Sequence, residues 1–221
     1  MPGINISRAE ALERSSHLTV ASYDVTIDVT NGEETFIAKT IVKFGCNKPG
    51  YDTFVDAVGK RIISATLKGN AVDVSNFDGE SVFLKNLAAS NELVLEIEAI
   101  YSKSGEGLQR SVDPVDNEVY LYSQGETAFI RHMFPCFDQP DLKGTFTLTA
   151  IAPSHWEVIS NNTEKSKSDL GNKKSKWEFE TTPLLLYLQR ILHIQVRGVF
   201  PFDFQQHFFH LILVPALAGS P

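Results

Sequence analysis

What this sequence lacks narrows its chemistry first. Its two cysteines, Cys46 and Cys136, are too few and too far apart for a disulfide framework, and neither sits in a C-x-x-C pair of the kind used for zinc or thiol redox work. A reducing compartment fits, and the cytoplasm is the expected location. None of the six histidines (His17, His132, His155, His193, His207, His210) is followed by Glu. No helix can therefore offer the two imidazoles and base of an H-E-x-x-H site, and HFFH at 207–210 is too little to make one. No metal ligands and no catalytic residues are expected in this chain. Residues 1–12 have no apolar core of signal-peptide length, and no early run reaches the roughly 18 residues of a membrane span. Positive charge is scarce too: 20 Lys and Arg stand against 27 Asp and Glu, a net charge of −7. A phosphate backbone needs clustered cations, so the charge argues against nucleic acid as a partner, and with no early run of spanning length no membrane is expected either. The one lysine cluster, Lys165 to Lys176, lies among Ser, Asn, Asp and Gly and reads as a solvated hairpin loop.

What is present is alternation. Hydrophobic residues make up 43% of the chain, enough for a core, and they recur with a period of two. Ser7 with Glu10 forms a capping-box pattern ahead of Ala9, Ala11 and Leu12, which predicts a short N-terminal helix. Tyr23, Val25, Ile27 and Val29 then alternate with polar residues, Asn31-Gly32 turns the chain, and Phe36, Ala38, Thr40, Val42 and Phe44 make a second strand. Further strands are expected at 53–58, 62–67, 72–74, 81–84 and 93–99, the last with Glu96 and Glu98 facing outward. Residues 103–117, polar and turn-rich, read as a long surface connection. Strands follow at 120–122, 146–152, 156–160 and 176–180, with Trp177 and Phe179 turned inward, and a short helix is predicted within 126–134. Turn signals at this spacing predict an all-β fold: an antiparallel two-sheet sandwich or saddle with a short N-terminal helix.

The rest of the chain is organised around YLYSQGETAFIRHMFPCFDQPDLKGTF, residues 120–146. Arg131, Phe134, Pro135, Cys136, Phe137, Asp138, Pro140, Lys143, Thr145 and Phe146 fall on R-x-x-FPCFDEP-x-x-K-x-TF, with Gln139 in place of the Glu. This closely resembles a signature of zinc aminopeptidases of the aminopeptidase N family. The segments GEGL and VDPVDNEVYLYSQ resemble its bacterial branch. Arg131 is expected to pair with a nearby acid, Asp138 to accept hydrogen bonds in the turn around Pro140, and Cys136 to be a packed thiol.

The resemblance implies an N-terminal domain whose family carries its zinc and its chemistry in a following helical domain, with H-E-x-x-H and G-x-M-E-N motifs that this chain does not contain. Gln124 and Glu126 match the family's S-Q-F-E segment. There the Glu binds the free α-ammonium of a peptide substrate and the Gln lines the pocket for the first side chain, so these two are the substrate-binding candidates. Gly125 stands where the family has an aromatic residue. On this reading, residues 1–183 form the aminopeptidase N-like domain, built to dock onto a missing catalytic domain and inactive alone. Residues 184–221 are an atypical tail, frameshifted or prematurely ended, and around its start Thr182, Pro183, Leu185, Tyr187 and Leu188 keep a loose echo of the family. The alternative is a non-catalytic β-sandwich serving as a binding or assembly module.

Overall fold

The N-terminal helix is set by Ser7, whose hydroxyl accepts from the Glu10 N–H while the Glu10 carboxylate accepts from the Ser7 N–H at 2.8 Å. The computed structural model describes residues 6–115, 117–125, 128–184 and 212–215, the last of these as backbone alone. Helix α1, Arg8–His17, passes directly into strand β1, Leu18–Asp28. Tyr23, Val25 and Ile27 are buried along β1, and Phe36, Ala38, Thr40, Val42 and Phe44 along β2, Thr35–Cys46. The two pair antiparallel with Tyr23 opposite Val42, as the alternation predicts. Each large apolar side chain so buried contributes about 1.5–3 kcal/mol relative to exposure.

Five strands follow: β3 at Thr53–Asp56, β4 at Arg61–Leu67, β5 at Asn70–Ala71, β6 at Ser81–Leu84 and β7 at Ser90–Ile100. The strand expected at 72–74 is displaced. Lys68 and Gly69, both at positive φ, make a tight turn, β5 ends at Ala71, the Val72 N–H still donates to the Ala65 carbonyl at 3.0 Å, and Val72 and Val74 pack against the core. Glu98 also departs from expectation. It is buried rather than solvated, because Lys60 Nζ at 2.9 Å and Arg61 Nε at 2.7 Å cover its carboxylate, and Thr35 adds a hydroxyl. Those donors, Lys60 foremost, hold the carboxyl below its usual range.

The segment read as a surface connection contains a strand, β8 at Gly107–Val112, which pairs with β9 at Val119–Gln124. Its alternation was hidden by polar residues: Gln109 is buried, its amide satisfied by the Arg110 carbonyl and the Ser111 hydroxyl. Of the helix expected within 126–134, the described residues form a 3-10 turn at Ile130–His132, and Pro135 disfavours its continuation; residues 126–127 lie outside the described residues. Then come β10 at Thr145–Pro153, β11 at Trp156–Ile159, β12 at Glu164–Gly171, β13 at Lys174–Phe179 and β14 at Ile212–Pro215. The lysine cluster therefore lies along a hairpin's strands as well as at its tip, with β12 exposed and Trp177 of β13 fully buried.

Among the described residues the strands form three sheets. The largest has the order β12-β13-β10-β1-β2-β7-β4-β5, a second runs β11-β14-β9-β8, and β3 pairs with β6. The fold is all-β, as expected, and among the described strands one pair is parallel: β10 runs alongside β1, with Phe146 beside Tyr23. That contact brings the end of the signature next to the first strand.

Candidate functional site

The signature works as a hub. Phe134 packs on Phe146 with ring centres 5.5 Å apart, Phe137 meets Phe44 edge-on at 5.1 Å, and the Phe137 N–H donates to the Tyr23 hydroxyl at 3.3 Å. Cys136 exchanges two backbone bonds of 2.9 Å with Asp56. Burial first, and then Asp138 and Asp56, push its thiol far up, so Cys136 is a packed core residue and no nucleophile. Thr182 exchanges bonds with Phe146, its hydroxyl accepting from the Phe146 N–H at 3.0 Å.

Charges lie within this core. Asp56 receives Arg131 Nη1 at 3.3 Å and Arg14 Nη2 at 3.6 Å, while Arg131 Nε lies 3.5 Å from Asp138. Arg131 thus pairs with two acids, as expected of it. Asp138 accepts from the Arg131 N–H at 3.3 Å, not from the Pro140 turn, because its own N–H is tied to Asp56 at 3.1 Å and the carboxylate faces back toward the 3-10 turn. Burial pushes its carboxyl up to about 6 against the pull of Arg131, with Asp56 adding to the rise. Arg14 is 3% exposed and has no hydrogen-bond partner among the described residues. Its guanidinium stacks 4.1 Å from the Phe54 ring centre. Gln139 Nε2 donates to the Ala11 carbonyl at 2.8 Å and to Asp141 at 2.7 Å, tying α1 to the signature.

The hub positions the end of β9. Gln124, the last residue of that strand, is half-buried and pairs with Gly107 of β8. Gly105 lies beside it: a Cβ there would stand 3.8 Å from Gln124 Oε1 and 4.0 Å from the Tyr122 hydroxyl. Gly107, at φ +71°, admits no side chain, since a Cβ would meet His132 Cβ at 2.6 Å. His132 is held below its usual range by burial and then by Arg131, with Glu106 opposing. Gly125 is closed off in the same way, because a Cβ would stand 2.2 Å from Ile130 Cδ1. Ile130 thus fills the space beside the position where the family signature carries an aromatic ring. Glu126, the second candidate, lies outside the described residues.

Sequence reading missed His132, Gln109, Asp56 and Arg14. The GEGL segment was the available signal for the first two, since two glycines around an acid mark a close approach of backbone. An acid in the apolar run TFVDAV was the signal for Asp56. Arg14 gave none.

The peptidase M1 N-terminal domain family matches residues 19–185. The chain is 39% identical to aminopeptidase N of Streptomyces lividans over 187 residues, covering 83% of this chain and 21% of that protein. It is 26% identical to aminopeptidase 2 of Candida albicans over 74% of this chain and 19% of that one. It spans about a fifth of the length of these curated relatives. In structure it resembles an M1 zinc metallopeptidase from Deinococcus radiodurans with a TM-score of 0.61 at 21% identity, over 74% of this chain and 38% of the other. No group of three or more His, Cys, Asp or Glu is placed to hold a metal ion among the described residues. By the extent of the match, this chain belongs to the peptidase M1 N-terminal domain family.

Proposed function

We propose that this chain is the substrate-anchoring domain of a zinc aminopeptidase that releases N-terminal residues from peptides, and that it is inactive without a catalytic domain. Glu126 takes the free α-ammonium of the substrate, and Gln124 lines the pocket for the first side chain. The observation that supports this is the position of Gln124, half-buried at the end of β9 opposite Gly107, with Gly105 beside its side-chain amide and no side chain at either glycine. A carboxylate against a desolvated ammonium makes a charge-assisted bond of about 1.5–3 kcal/mol, and it selects chain ends because an internal peptide nitrogen carries no such charge. The buried free thiols Cys46 and Cys136 suit a reducing compartment, and cytoplasmic residence is proposed with the rest.

A second reading, a stand-alone β module for binding or assembly, draws on one observation. Ile212–Pro215 pairs with Trp156–Ile159 and reaches Leu121, so part of the tail completes a sheet.

The test is a chimera in which residues 1–183 replace the matching stretch of the Streptomyces lividans relative. The substrate-anchoring reading predicts that the chimera hydrolyses aminoacyl amides and refuses their N-acetylated forms, and that the 221-residue chain alone hydrolyses neither. A chimera that folds and retains metal but shows no hydrolysis would favour the stand-alone module.

A further inference from the structure

Strand β6 is a sheet edge. Among the described residues it pairs with β3 alone, with Val55 opposite Val82 and Asp56 opposite Ser81. Asp56 spends both its backbone bonds on Cys136, and backbone groups alternate sides along a strand, so Asp56 points away from β6 while Val55 and Thr53 point toward it. The Ala57 N–H bond to the Glu80 carbonyl, 2.9 Å, has the same phase. Val82 and Leu84 therefore answer β3. The N–H and C=O of Phe83 point outward, where they meet no hydrogen-bond partner among the described residues. The outward N–H of Ser81 is already taken by Asp78 at 3.0 Å.

That outer edge is one wall of a cleft of roughly 430 Å³. Across from it stand Lys68 and the half-buried Val72, Val74 and Phe77, which pack inward on the core. Phe83 is 44% exposed on the near side, beside Lys85. Neither lysine has an ion-pair partner among the described residues, and both are exposed. The acid in the lining, Asp73, accepts from the Ser75 N–H at 3.0 Å, and the Ser75 bonds first and then the charge of Lys85 hold its carboxyl below the usual range, so one of the two lysine charges is partly answered within the cleft. The cleft thus combines a free backbone rung, an apolar wall and an excess of positive charge on a chain whose net charge is −7.

We infer that this cleft binds an extended acidic peptide segment of another protein, which adds to the outer edge of β6 as a strand. Its backbone exchanges two hydrogen bonds with Phe83, an apolar side chain lies against Val72, Val74 and Phe77, and carboxylates stand beside Lys68 and Lys85. The free rung selects a polypeptide over a small anion, and the lysines select its charge. This site is independent of Glu126 and of any peptidase activity.

The experiment uses the full chain and a fluorescein-labelled peptide of alternating Glu and Val, followed by fluorescence polarisation and by amide exchange at Phe83. Controls are a Lys-Val peptide, the Glu-Val peptide N-methylated at alternate residues, and the surface variant Lys68→Glu with Lys85→Glu. The inference predicts saturable binding with protection of the Phe83 N–H, lost on N-methylation and weakened about tenfold or more by charge reversal on either partner. Equal binding of acidic and basic peptides, indifference to N-methylation, or no binding at millimolar peptide would overturn it. So would sedimentation showing that a second copy of the chain already covers this edge.

Discussion

Arg131 Nη1 stands 3.3 Å from Asp56 Oδ1, and that same buried carboxylate draws Arg14 to 3.6 Å from the N-terminal helix. One acid on β3 thus joins the signature to a helix more than a hundred residues earlier in the chain. Asp56→Ala would leave the buried Arg14 guanidinium without its counter-charge and Arg131 with Asp138 alone. Breaking a buried pair in this way costs about 3–5 kcal/mol. Asp56→Asn, which keeps an acceptor for the Asp138 N–H, is expected to lose less. Urea unfolding measures both, and amide exchange along Arg8–His17 should accelerate first. An Asp56→Ala protein as stable as the parent would show that the pairing contributes nothing.

The carboxyl of Asp138, raised to about 6, sets a pH dependence of definite sign. An unfolded aspartate titrates near 4, so the folded protein holds this proton more tightly. Its contribution favours folding fully below the unfolded value and is lost as pH rises through about 6. A tenfold difference in proton affinity is worth about 1.4 kcal/mol, so the difference in unfolding free energy between parent and Asp138→Asn should fall by up to about 3 kcal/mol from about pH 4 to about pH 6.5. Parallel stability curves for the two proteins across that window would contradict the assignment.

Gln139 occupies the signature position that departs from the usual form, and it acts as a donor there. Its Nε2 serves both the Ala11 carbonyl and the Asp141 carboxylate. Gln139→Glu replaces that donor with an acceptor facing two acceptors. The expected loss is about 1–3 kcal/mol, with α1 released from the hub. Thermal unfolding and exchange at α1 check it, and a variant that melts with the parent would mean that the Gln139 amide contributes nothing to holding the helix.

Much of the fold was legible because burial on one sheet face imposes a period of two, and the hairpin from Tyr23 to Phe44 carries that period without interruption. Strand β8 was illegible because Gln109 is buried by satisfying its amide locally, which makes a core position look like a loop. Glu98 misled in the opposite direction: two cations cover it, and sequence alternation cannot distinguish a capped acid from a solvated one. Glycine carried information that residue counts hide. Gly107 and Gly125 mark where His132 and Ile130 come within contact of the backbone, a fact about distant residues that their own neighbours do not encode. At the candidate site, Gln124 was found through a motif, whereas the Arg14–Asp56–Arg131 cluster needed coordinates, since its members come from three separate elements.

Whether Glu126 holds the substrate ammonium is decided by steady-state kinetics of the chimera with the Streptomyces lividans relative. Losing one charged hydrogen bond of roughly 1.5–3 kcal/mol should lower kcat/KM for an aminoacyl amide by about 10-fold to 150-fold in Glu126→Ala. Glu126→Gln should lose less, because the amide keeps an acceptor oxygen without the charge. If both variants hydrolyse the substrate as fast as the parent chimera, Glu126 does not hold the substrate ammonium.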